Sequence, residues 1–220
     1  MKNLQKSGGY AALYEGAAYL IAMVGYLLVL DTLADLSPVQ QVAQLVDNQA
    51  FFYILNLIGY VFWGFAMAIL ALALYKRLES SSPKLALTGA AVGLIWSTVA
   101  IGYGMISNFG MGVVVDLFSS DPTQAGTVWL AIDAVAQGLG GASGEILGGP
   151  WVLLVSWAAL RAGELPRALN YLGVLLGVVG ILSTIPALGL TLMLVFGMGK
   201  IVWTIWLGIV MLRKNPSAAA

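Results

Sequence analysis

AFFYILNLIGYVFWGFAMAILALALYKR, Ala50 to Arg77, contains no charged residue until Lys76 and Arg77 close it. Coiled as an α-helix at about 1.5 Å per residue, the part from Ala50 to Tyr75 is longer than the roughly 30 Å hydrocarbon core of a bilayer. A run of this length and polarity predicts a transmembrane span. Working outward, five further apolar segments have a similar character: Tyr10 to Leu30, Leu85 to Ile106, Gly138 to Leu160, Leu169 to Leu188 and Leu190 to Leu212. The expected fold is therefore all-α, an integral membrane bundle of six transmembrane helices forming a single polytopic domain over residues 1–220. The first segment follows a basic start, as a signal peptide does, but its apolar stretch is too long for a typical signal core and reads as a retained span.

Composition supports this reading and narrows the chemistry. Hydrophobic residues make up 60% of the chain and charged residues 9%, against about a quarter charged in soluble domains. Such a chain cannot cover its surface with polar groups in water, so the lipid bilayer is its expected surrounding. Lysine plus arginine equals aspartate plus glutamate, which gives no argument for nucleic acid as a partner. The chain has no cysteine and no histidine, so thiolate metal sites, imidazole haem ligation and Ser-His-Asp chemistry are excluded. The expectation is a non-enzyme without metal or cofactor.

The positions of the charges predict topology, because basic residues in short loops resist translocation. Lys2, Lys6, Lys76, Arg77, Lys84, Arg161, Arg167, Arg213 and Lys214 fall on one side of a six-span arrangement; Asp31, Asp35, Asp47, Asp116 and Asp121 fall on the other. Both termini are then cytoplasmic. In the first exterior loop, Ser37 and Pro38 are suited to a helix cap and first turn, with Val39, Val42, Leu45 and Val46 at helical spacing, which predicts a short interfacial helix. Asn108 to Gln137 is too polar for an ordinary span, although Thr127 to Gln137 reads as helical.

Ionisable groups inside the hydrocarbon each cost about 2.5 to 3.5 kcal/mol on insertion scales, so each needs a partner or a wet cavity. Glu15, Glu145 and Lys200 are such groups, and Asp133 lies nearer the outer surface. Counted from the cytoplasmic side, Lys200 and Glu145 come to the same level, which predicts a Glu145–Lys200 ion pair. Trp203 on the same helix offers Lys200 a cation–π contact. Gly148, Gly149 and Pro150 follow Glu145 and predict a helix break beside a buried carboxylate, a pattern of transporter and ion sites. Glu15 lies on a small-residue face of Gly8, Ala11, Ala12, Ala18 and Ala22 and points into the bundle, accepting a proton or a hydrogen bond from a neighbouring helix. Asn56, Ser97 and Thr98 read as interhelical hydrogen-bonding groups. Trp63, Trp96, Trp203 and Trp206 read as packing.

The run PWVLLVSWAALRAGELPRALNYLGVLLGVVGIL, Pro150 to Leu182, resembles the penultimate hairpin of a family of small bacterial multi-pass membrane proteins classed as a domain of unknown function. The likeness is carried by Trp157, Arg161, Leu165, Pro166, Arg167 and Gly173. It implies a bacterial inner-membrane location and brings no activity with it. The residues themselves suggest a protein that binds or moves a small solute, ion or proton through a mid-bilayer site of Glu145, Lys200 and Glu15. Two other readings remain open: an accessory subunit, homo-oligomeric or in a membrane complex, and a chromophore-binding protein in which Lys200 forms a Schiff base.

Overall fold

The computed structural model describes residues 2–30, 36–140 and 145–213. Among these the chain is helical throughout, without a strand: α1 Lys2–Leu30, α2 Pro38–Asp47, α3 Gln49–Asn56, α4 Trp63–Leu78, α5 Pro83–Phe118, α6 Pro122–Gly140, α7 Gly148–Ala162, α8 Arg167–Leu182 and α9 Gly189–Arg213. A π-turn, Leu57–Phe62, joins α3 to α4 without interrupting the helical rod. Three described helices are long and apolar enough to cross a membrane: Gln49–Leu78, Pro83–Phe118 and Thr191–Arg213. They turn apolar side chains outward, including Phe65, Leu72, Ile95, Phe109 and Val202. In water those faces would be costly; against lipid they are not.

Helix packing closes a ring in which α1 contacts α4, α4 contacts α5, α5 contacts α7, α7 contacts α8, α8 contacts α9 and α9 returns to α1. Close approach at two seams depends on absent side chains. A Cβ at Gly149 would lie 2.6 Å from the Ile181 nitrogen, and one at Gly180 would lie 2.7 Å from the Gly149 Cα, so α7 and α8 meet backbone to backbone. The ring's core includes Trp63, Met67, Leu70, Trp151, Phe196 and Trp203.

At one end the basic loops converge. Arg77 at the foot of α4 bonds Glu164 in the α7–α8 turn at 2.8 Å, and the Gln5 amide donates to the Met211 carbonyl across α1 and α9. That turn forms as its sequence dictates. Gly163 caps α7 with φ +65, and Pro166, extended, precedes α8. At the other end α2 packs on α5 and α6 through a second cluster of Val42, Leu45, Phe52, Met111, Val114 and Ala125. Ser37 and Gln40 form the reciprocal capping box that starts α2, with Pro38 in its first turn.

Several expectations about boundaries change. The third segment does not stop at Ile106, because α5 continues to Phe118, and the polar stretch after it pairs with α6 as an antiparallel hairpin. Gly138 to Leu160 is not one helix: α6 ends at Gly140 and α7 begins at Gly148. Gly148, Gly149 and Pro150 are consequently the first turn of α7, and the break lies just before them. A proline there gives up an amide that has no helical partner in any case. Gly141 and Ala142, within the fourth expected segment, lie outside the described residues, as do Asp31, Asp35 and Lys214. Gly138, the start of that segment, is exposed with open space around it.

Candidate functional site

Lys200 lies mid-way along α9 and is 2% exposed. Its Nζ is 3.7 Å from Oε2 of Glu15, whose residue is 1% exposed. This corrects the expected Glu145–Lys200 pair, and the reason is a boundary. α1 starts at Lys2, well before Tyr10, so Glu15 lies about 20 Å up its helix, the same height as Lys200 above the end of α9. Since α1 and α9 pack side by side, the two charges meet. At 3.7 Å the contact is an ion pair but too long for a hydrogen bond. Among the described residues neither Glu15 oxygen nor the Lys200 ammonium has a hydrogen-bond partner; the expected hydrogen-bond donor to Glu15 from a neighbouring helix is not found.

Aromatic rings take the place of that donor. Lys200 Nζ stands 4.1 Å from the ring centroid of Trp96, 4.3 Å from Trp63 and 5.5 Å from Tyr19. Ring faces carry negative quadrupole density, and a desolvated cation so placed gains about 2 kcal/mol or more per good contact. The expected contact with Trp203 does not form, because that indole donates to the Leu169 carbonyl at 3.2 Å. Trp63 and Trp96 meet edge to face at 5.0 Å, and the series continues through Trp151 to Trp203 at 5.9 Å for each step. Sequence reading had assigned Trp63 and Trp96 to packing. Nothing local marks them, since their partner belongs to another helix.

Above this charge lies a cavity of about 290 Å³. Tyr19, Trp63 and Trp96 form part of its wall together with Tyr60, Glu145 and Met198. Lys200 is outside the wall, behind the rings. The π-turn contributes Gly59 and Tyr60 to the lining, and the Ile58 carbonyl within it accepts the Tyr14 hydroxyl at 2.9 Å. π-turns of this kind recur where helices are shaped around functional sites.

Glu145 is partly exposed, and the space it meets is the cavity. Its backbone amide donates to Ser183 Oγ at 3.0 Å, and Ser183 in turn donates to the Gly180 carbonyl at 2.6 Å, which fixes the segment to the end of α8. The Glu145 carbonyl accepts the Gly149 amide at 2.9 Å. The carboxylate folds back over Gly148, where a Cβ would collide with it and lie 2.9 Å from the Trp96 ring. It thus lies at the start of α7, where the helix dipole favours negative charge. Glu145 is outside ion-pair distance of Lys200 but close enough for the two charges to interact.

The remaining candidates lie elsewhere. Asp133, on α6, accepts a hydrogen bond from Gln137 at 3.4 Å and is not part of the cavity wall. Asn56 donates to Asn108 at 2.9 Å and Ser97 to the Gly64 carbonyl at 2.7 Å, both across helices as expected. Thr98 bonds the Leu94 carbonyl within its own helix instead. No group of three or more His, Cys, Asp or Glu side chains suited to a metal ion occurs among the described residues.

The fold and site define a class: an all-helical chain with helices apolar enough to cross a membrane and a charge cluster buried among them. A family model, described as a domain of unknown function (DUF4386), matches residues 15–210. The chain belongs to this family. No curated protein and no solved structure matches the chain.

Proposed function

We propose that this chain is a six-span bacterial inner-membrane protein, with both ends cytoplasmic, that binds or transports a small solute or ion at the Glu15–Lys200–Glu145 site and is not an enzyme. The carrying observation is the pairing of Lys200 with Glu15, each nearly inaccessible, directly behind a cavity whose wall includes Glu145. Charges in a membrane interior are retained at a cost, and the usual return is a ligand or proton pathway. In this arrangement α1, α3–α4, α5, α8 and α9 each cross once. The fourth crossing is divided between α6 and α7, which the break before Gly148 separates. Glu145 then lies in the gap of a discontinuous span, the geometry in which transporters expose helix ends to substrate.

Proteoliposomes containing the native chain, Glu145→Gln or Lys200→Met, assayed for proton flux and for uptake across a panel of small solutes, test the proposal. The expected result is an activity of the native chain that both folded variants lose. An activity that both variants retain would assign it to another part of the molecule. Absence of any flux, with stable co-purification of another membrane protein, would favour an accessory subunit.

A further inference from the structure

We infer that the cavity above Lys200 is a binding site for an organic monocation with apolar flanks, such as a substituted ammonium. The inference rests on the binding-site reading above and names its ligand class. It follows first from a charge count. Lys200 contributes one positive charge and is paired with Glu15 at 3.7 Å, whereas Glu145 contributes a second carboxylate with no basic residue within ion-pair distance among the described residues. Fully ionised, the three groups carry one net negative charge, and the carboxylate left over is the one on the cavity wall.

The rest of the wall narrows the choice. Tyr19, Trp63 and Trp96 already stabilise one ammonium, that of Lys200, and the same rings border the cavity. Aromatic surfaces with a nearby carboxylate are the general means of recognising quaternary and substituted ammonium groups. Met23, Met193 and Met198 add soft, adaptable apolar surface for the remainder of the ligand. A hard metal cation would need about six oxygen ligands, and the lining offers one carboxylate and two tyrosine hydroxyls. An anion would meet Glu145 directly, while the one nearby lysine is engaged behind the rings. A volume of about 290 Å³ suits a small ligand.

The test uses the full chain in lipid nanodiscs and saturable binding of radiolabelled benzyltrimethylammonium, in competition with uncharged N,N-dimethylbenzamide and anionic phenylmethanesulfonate. The cation is expected to bind in a one-to-one ratio, with the other two at least about tenfold weaker. Glu145→Gln is expected to weaken the cation by about tenfold or more, because a charge partner is lost at low dielectric. Trp96→Phe, which keeps a ring but reduces its π surface, is expected to weaken it less. Equal or tighter binding of the neutral or anionic compound overturns the ligand class and leaves the site itself standing. Cation binding unchanged by Glu145→Gln, or no saturable binding of any of the three, overturns the inference. The flux comparison of Glu145→Gln and Lys200→Met separately decides whether the site has any solute at all.

Discussion

Trp96 touches most parts of the site at once: its ring lies over Lys200, edges Trp63 and Trp151, borders the cavity and abuts Gly148. Replacing it with leucine removes both packing and a cation–π partner, and the expected loss is about 2–4 kcal/mol of unfolding free energy. Trp157, 46% exposed with Arg161 over its ring, should lose less than about 1 kcal/mol under the same change; titration of the folded fraction with SDS compares the two. Gly148→Ala has a more local effect. The added methyl competes with the Glu145 carboxylate for space, so the expected outcome is a displaced Glu145 and about 1–3 kcal/mol of overpacking cost, read from the same titration and from loss of solute binding. At this scale the sequence was informative about which residues bear charge and silent about which touch. Glu15, Glu145 and Lys200 are conspicuous because ionisable residues are rare in apolar runs, but the Glu15–Lys200 contact depended on where α1 begins. A shift of that boundary from Tyr10 to Lys2 moves Glu15 by about 12 Å.

Elements were more legible where their signals are local. The cap and first turn of α2, Ser37 and Pro38, were expected from a few adjacent residues, and both formed. The break near Glu145 was placed on Gly-Gly-Pro, which reads the same whether it interrupts a helix or starts one; only the non-helical residues 145–147 before it decide. Two predictions belong to this scale. Gly177 presses on the Leu153 backbone, with a would-be Cβ 2.7 Å from its nitrogen, so Gly177→Leu should force α7 and α8 apart, cost about 3 kcal/mol or more and lower the yield of folded protein in detergent. Ser183→Ala removes the anchor of the Glu145 amide. It should cost about 1 kcal/mol in stability and increase hydrogen exchange at residues 145–149 without unfolding α8.

For the whole molecule, the apolar composition pointed to a membrane bundle, and three of the described helices are long and apolar enough to cross a membrane. Sidedness is open to direct test because the native chain has no cysteine. A six-span chain with cytoplasmic ends predicts that Ser120→Cys, between α5 and α6, reacts with an impermeant maleimide in intact cells, and that Ser81→Cys, between α4 and α5, reacts only after permeabilisation. Labelling of both from one side would exclude α5 as a crossing helix. The central claim, that Lys200 is held in the bundle interior by the Glu15 charge, is tested most directly by a double-mutant cycle of Glu15→Gln and Lys200→Met followed by reversible unfolding in mixed micelles. Each single change leaves a buried charge uncompensated and should cost about 3–5 kcal/mol, with the double variant recovering most of that loss. Additive losses from the two single changes would contradict the account.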